Sequence, residues 1–310
     1  MVPTRIEIIE KTGVSKARSL AGRGFGVERG GKVVLHPVEV AYLAALGNSV
    51  YLGNKKLGLE EVFRWCFSDR KNVLLFFVYR DLRDRGRKVR VSGDKIVGRD
   101  IYIPISERDE LVFPELIKKK CILAVVDEEG DVTYYRFDRW DERGEQEGEP
   151  EPFTGVFAGD RVVTEITSVF ERYFYGSMAR NVVTLSLVEA VYLYEAGILR
   201  LDVSAKELLE EARRTEENFD IRYIFYRDLK KRRFVVKTGF KFGSDFRVYE
   251  KVESANDLPH STSLIKVGEK MKASEMASHV RVASAVRKRM VFGFLKNGKP
   301  EYVFFERIKV

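Results

Sequence analysis

The sequence predicts a mixed α/β chain (α+β in character) built as two tandem repeats. Each repeat reads as an N-terminal α/β subdomain followed by a C-terminal mixed-sheet subdomain. Three observations predict this. Matched blocks recur in one order: HPVEVAYLAALG (36–47) with SLVEAVYLYEAG (186–197) at an offset of 150, and VYRDLRDRGRKVR (78–90) with FYRDLKKRRFVVK (225–237) at 147. A third pair, KCILAVVDEEGDVTYYRFDR (120–139) and KRMVFGFLKNGKPEYVFFER (288–307), follows at 168, and three ordered matches signal a duplication. An acidic stretch, DRWDERGEQEGEPEP (138–152), separates the copies and reads as a solvated linker, since it carries seven carboxylates, two Gly and two Pro. Finally, helix-period and strand-like segments alternate within each copy.

Within the copies, Val38–Leu46, Glu60–Phe67, Leu187–Ala196 and Ala205–Arg214 carry helical periodicity, and Ser204 is placed to cap the last of these. A helix over Ile221–Lys231 opens the second mixed unit. Short β-rich runs follow at Phe234–Lys237, Phe246–Glu250 and Leu264–Val267, then a helix at Ser274–Val286. Two final strands, Val291–Leu295 and Glu301–Ile308, are joined through KNGK (296–299), whose Asn297-Gly298 dipeptide is a strong hairpin signal. The implied boundaries are 1–70 and 71–140 for the first copy, 141–152 for the linker, and 153–220 and 221–310 for the second copy. The Val- and Phe-rich strand Glu301–Ile308 suits tail-to-tail pairing with its counterpart.

Composition limits the chemistry. The chain has 310 residues and 45% hydrophobic content, enough for packed cores, and no apolar run approaches the ~20 residues that span a bilayer. Met1–Lys11 lacks the apolar core of a signal peptide, so the chain reads as soluble, without membrane partners, and cytoplasmic. Cys66 and Cys121 are too few for a disulfide framework, and with only His36, His260 and His279 neither a zinc site nor multi-histidine metal chemistry is expected. Gly24, Gly26, Gly30 and Gly31 lack P-loop spacing, and FPELIKKK (113–120) offers a Glu and lysines for a metal nuclease only in the first copy.

Charge is unevenly placed. Residues 221–310 carry 21 basic and 9 acidic side chains, whereas 1–220 carry 34 and 38. A locally basic unit favours a polyanionic partner, nucleic acid first. Between YRDL and the final hairpin the second copy spends 58 residues against 36 in the first, and the longer stretch holds His260 and His279. Metal-free cleavage of a phosphodiester needs a base for the 2′-hydroxyl, an acid for the leaving oxygen and a cation near the phosphorane. Tyr249, His260 and Lys288 supply those types, although on spacing alone a loop histidine is more often a surface or hydrogen-bonded residue and a strand tyrosine usually serves packing. Lys288 has a basic match in Lys120, and Arg287 and Arg289 flank it as rivals.

The segments KTGFKFGSDFRVYEK (237–251), PHSTSLIKV (259–267) and RVASAVRKRMVFGF (281–294) resemble the archaeal tRNA-splicing (tRNA-intron) endonuclease family, and the duplicated layout resembles its homodimeric branch with two repeats per subunit. That resemblance implies a restriction-endonuclease-like fold for each C-terminal subdomain and cleavage of precursor tRNA at the bulge–helix–bulge, without cofactor or metal. It implies Tyr249 as general base, His260 as general acid and Lys288 as transition-state stabiliser, leaving a 2′,3′-cyclic phosphate and a 5′-hydroxyl. It further implies that Arg281 stacks on a flipped base, with Arg307 or Phe305 opposite. The first copy then serves as scaffold, and its loop Asp127, Glu128, Glu129 and Asp131 docks on the basic unit of a second subunit. The alternative from another class is a catalytically silent structural or RNA-binding subunit.

Overall fold

The computed structural model describes residues 4–254 and 261–310. Its centre is one ten-stranded sheet to which each repeat contributes five strands. From the first repeat come Arg90–Ser92, Lys95–Val97, Ile101–Ser106, Ile122–Val126 and Val132–Arg139. From the second come Val235–Thr238, Phe246–Tyr249, Ser263–Val267, Arg289–Lys296 and Lys299–Ile308. The two halves join where Val132–Arg139 runs antiparallel to Lys299–Ile308, pairing Phe137 with Phe305 and Tyr135 with Arg307. This is the tail-to-tail pairing expected of the Val/Phe-rich strand, and it gives both five-stranded halves a shared, fully bonded seam in place of two exposed edges.

The sequence offset of 168 on these last strands makes Phe137 and Phe305 each other's counterpart, so an internal two-fold passes between them. The pairing Glu110–Val112 with Lys270–Lys272 crosses between the repeats a second time. On one face of the sheet lie the helices Lys71–Asp84 and Phe219–Lys231. On the other lie Phe113–Leu116 and Ala273–Ala285, over an apolar cluster from both repeats that includes Leu123, Phe113, Phe292 and Phe305.

Each N-terminal subdomain packs a small sheet on a helix whose third residue is a buried glutamate. In Pro37–Ala45, Glu39 accepts hydrogen bonds from the backbone N–H of His36 and Gly26. In Leu187–Glu195, Glu189 does the same for Ser186 and Gly176. The recurrent VE in the matched blocks therefore closes the helix N-terminus and ties down the preceding turn. His36 is used up here, its Nδ1 accepting from Val38 N. Ser204 caps Ala205–Thr215 as expected, its hydroxyl accepting from Glu207 N at 3.3 Å. Asn297 and Gly298 both take positive φ, 52° and 74°, as a two-residue hairpin demands.

Two expectations are corrected. The acidic stretch is not a free linker. Trp140 is 3% exposed and stacks on Phe234 at 5.3 Å, and backbone bonds from Gly144, Glu145 and Gln146 reach Arg232, Glu250 and Arg233. Its carboxylates pair outward, Asp141 with Arg232, Glu142 with Arg289 and Glu147 with Arg233, while Glu149 accepts from Tyr175 at 2.5 Å. The segment is a strap, because its acids meet the cations of the second repeat. The match of Lys288 with Lys120 also slips. Leu123 pairs with Tyr135 and Phe292 with Val303, and Tyr135 corresponds to Val303, so Lys119 takes the place of Lys288. The acidic hairpin of the first repeat is one residue longer, which shifts the strand before it.

Candidate active site

The strand Phe246–Tyr249 ends on Tyr249, one residue past Val248, which pairs with Ser263 at the start of Ser263–Val267. That strand in turn runs parallel to Arg289–Lys296, pairing Ser263 with Arg289. Tyr249, the segment entering Ser263 and Lys288 therefore meet at one end of three adjacent strands. The helix Ala273–Ala285 delivers Lys288 there. Arg287 takes a left-handed φ of 55°, and Lys288 N donates back to Ala283 O at 2.9 Å. This six-to-one closure is a Schellman stop, and it turns the chain sharply into the strand.

Lys288 is the member of the RKR cluster that faces the site. Its Nζ donates to the Ser261 carbonyl at 3.0 Å and lies 5.8 Å from the Phe242 ring centroid. Arg289 instead pairs with Glu142 of the strap, and Arg287 is exposed. Partial burial, helped by the nearby Arg247 charge, holds the Lys288 ammonium below its ordinary pKa. Tyr249 is 3% exposed and packs on Phe174 and Val235. Burial raises its phenol, and the Arg247 guanidinium, 5.8 Å from the ring centroid, opposes that rise. His260 lies outside the described residues, directly before Ser261. His279 sits on the helix Ala273–Ala285, edge-on to Phe292 and 3.9 Å from Glu275, and its pKa is lowered first by burial and then by Lys266.

Part of the inserted length of the second repeat falls at this site. In the first repeat a three-residue turn, Gly98–Asp100, joins Lys95–Val97 to Ile101–Ser106, closed by Gly98 N donating to Asp100 O. In the second, residues 250–262 occupy that junction. The ladders align Val97, paired with Arg90 and Ile101, with Arg247, paired with Lys237 and Leu264. Two residues beyond Val97 the chain is already in the turn, at Arg99, whereas Tyr249 still belongs to its strand; the first repeat has neither the phenol nor the longer connection.

A second feature lies at the seam of the repeats. A cavity of about 320 Å³ is lined by Tyr135, Arg281, Arg307, Asp127, Asp131 and Ser278, among others. Burial raises the Tyr135 phenol, and the Arg307 and Arg281 charges both counter it. Arg281 and Arg307 are exposed, but Phe305 is 2% exposed and stacked on Phe137. Phe305 is thereby removed as a base-stacking partner, because its ring has no free face; Arg307 keeps one. The loop 127–131 is ordered from within. Asp127 Oδ1 accepts from Glu129 N and Asp131 N at 3.0 and 2.9 Å, and Glu128 pairs with Arg108 at 2.9 Å.

Sequence reasoning missed Arg247, Phe242 and the Ser261 carbonyl. Arg247 carried a signal, since residues two apart on a strand share a face. Phe242 carried none, because a short 3₁₀ turn, Phe240–Phe242, brings it under Lys288.

Residues 219–302 match the catalytic C-terminal domain of tRNA intron endonucleases, and 153–213 match the N-terminal domain of the same enzymes. The second repeat is thus a two-domain unit of an RNA-cutting class. The whole chain is 34% identical to a tRNA-splicing endonuclease of Methanosarcina mazei, covering 92% of each chain, and 35% identical to one of Haloarcula marismortui, covering 95% of each. This chain belongs to the tRNA-splicing endonuclease family.

Proposed function

We propose that the chain excises introns from precursor tRNA by metal-independent transesterification at the bulge–helix–bulge. The observation that carries this reading is the convergence of Tyr249 and Lys288 on the segment that follows His260, with Lys288 held on the Ser261 carbonyl at 3.0 Å. Tyr249 takes the proton of the 2′-hydroxyl as its oxygen bonds to phosphorus. The bond to the 5′-oxygen breaks, and His260 gives that oxygen its proton, leaving a 2′,3′-cyclic phosphate and a 5′-hydroxyl. Lys288 sits where negative charge grows on the phosphorane oxygens. Arg281 and Arg307 hold a flipped base between guanidinium planes, a contact of about 1–3 kcal/mol per base.

Two copies form the working unit in this reading, since an intron needs two cuts and each chain carries one catalytic repeat. The acidic loop 127–131 meets the basic second repeat of the other copy by charge complementarity. The reading is tested with purified protein and a bulge–helix–bulge RNA in excess EDTA. Cleavage that persists in EDTA and falls ~10²–10⁴-fold in His260→Ala is expected. Full activity of that variant would remove His260 as the acid, and strict dependence on added Mg²⁺ would remove the metal-free mechanism.

A further inference from the structure

Arg247 is the half-buried cation of the site that this mechanism leaves without work. It precedes Tyr249 by two residues on one strand, so both side chains lie on the same face. Its guanidinium carbon is 5.8 Å from the Tyr249 ring centroid. Among the described residues no carboxylate pairs with it, and its buried Nε has no hydrogen-bond partner. Behind it opens a cavity of about 450 Å³, lined also by Arg161, Lys237, Glu189 and Gly176, where the second repeat's N-terminal subdomain meets the catalytic sheet.

The duplication supplies an internal control. Val97 occupies the ladder position of Arg247 in the first repeat, and that repeat builds the same strand pairing around it. A cation is therefore not needed to form this strand. It is present in the repeat that carries the phenol and absent from the repeat whose strand stops at Val97 without one.

We infer that Arg247 is a positioning residue for Tyr249, fixing the ring from the cavity side and helping to populate the phenolate that then accepts the 2′-hydroxyl proton. This role rests on the assignment of Tyr249 as base. The charged groups gathered around the pair are Lys237 on the neighbouring strand, Lys288 before Arg289–Lys296, and Glu189, Asp160 and Arg161 across the cavity. Neither carboxylate forms an ion pair with Arg247 among the described residues, and Glu189 is taken up by the backbone N–H groups of Gly176 and Ser186. The direction of the effect on the phenol agrees with the geometry, since Arg247 opposes the rise caused by burial.

The test is a double-mutant cycle in single-turnover cleavage, with RNA dissociation constants and sedimentation measured alongside. Arg247→Val, which installs the residue of the first repeat, is expected to slow cleavage by up to about 10²-fold, as a misplaced catalytic group does, while RNA affinity stays within twofold. Arg247→Lys recovers part of the rate. In the Tyr249→Phe background, Arg247→Val adds no further loss. An equal loss in both backgrounds would mean that Arg247 acts independently of Tyr249 and would overturn the inference. A loss expressed in RNA affinity would make it a phosphate contact instead. An active wild type with an indifferent Arg247 removes this role alone, whereas a wild type that does not cleave removes the assignment of the site with it.

Discussion

Phe137 stacks on Phe305 with ring centroids 5.4 Å apart, each the counterpart of the other across the internal two-fold. Phe113 closes over the pair from the first repeat, its ring 5.9 Å from Phe305. Truncating Phe305 to alanine opens a cavity at the seam that holds the two half-sheets together. A loss of about 3–5 kcal/mol in unfolding free energy is expected, read by urea denaturation. A loss below about 1 kcal/mol would show that the seam repacks.

Lys288 and Arg289 are adjacent in sequence but face different partners, the Ser261 carbonyl and Glu142. Lys288→Ala should lower single-turnover cleavage by ~10²–10³-fold, the usual cost of losing one transition-state donor. Arg289→Ala should leave the rate within a few-fold, because an exposed ion pair contributes little. Equal losses in the two variants would contradict this division.

Lys237 is buried, and its Nζ donates to the Gly176 carbonyl. Burial lowers its pKa from 10.5 to about 8, with Glu189 opposing and Arg247 and Lys230 assisting. Between those values the unfolded chain binds the proton that the folded chain has released, so stability rises with pH across that window. The expected gain from pH 7.5 to 10 is roughly 1–3 kcal/mol relative to Lys237→Met, in which the contribution is absent. Parallel pH profiles for wild type and variant would refute the shift.

Asp127 organises the acidic hairpin through two backbone N–H groups, leaving Glu128 and Glu129 exposed. If the loop docks as proposed, replacing Asp127, Glu128 and Glu129 with lysine should leave only monomers in sedimentation velocity and abolish cleavage at low protein concentration. A variant that stays dimeric would sink the docking of this loop.

Much of this architecture is legible in the residues. Matched blocks reveal the duplication, Asn297-Gly298 marks the hairpin, and the alternation in Glu301–Ile308 marks the strand that joins the repeats. What escapes is whatever depends on partners distant in sequence. The stretch 138–152 reads as solvated because its composition is polar, yet Arg232, Arg233 and Arg289 receive its charges. Phe304 and Phe305 are consecutive aromatics on a strand, and nothing local says which one faces the core; the pairing with Phe137 decides it. The one-residue slip that replaces Lys120 with Lys119 follows from hairpin length, which an ungapped match cannot register. Composition alone does not separate Lys288 from Arg287 and Arg289, and only the resemblance does so in the sequence; in the fold, the helix stop that ties Lys288 N to Ala283 O fixes its direction.

Joining two repeats in one polypeptide also separates two kinds of association by their response to dilution. The seam between Val132–Arg139 and Lys299–Ile308 is closed by a tether, so its partners meet at an effective concentration set by the chain and not by the sample. The contact proposed between two chains through the acidic hairpin is instead governed by mass action. Lowering the protein concentration should therefore strip the enzyme to single chains whose ten-stranded sheet is intact, and high salt should do the same by screening the exposed carboxylates.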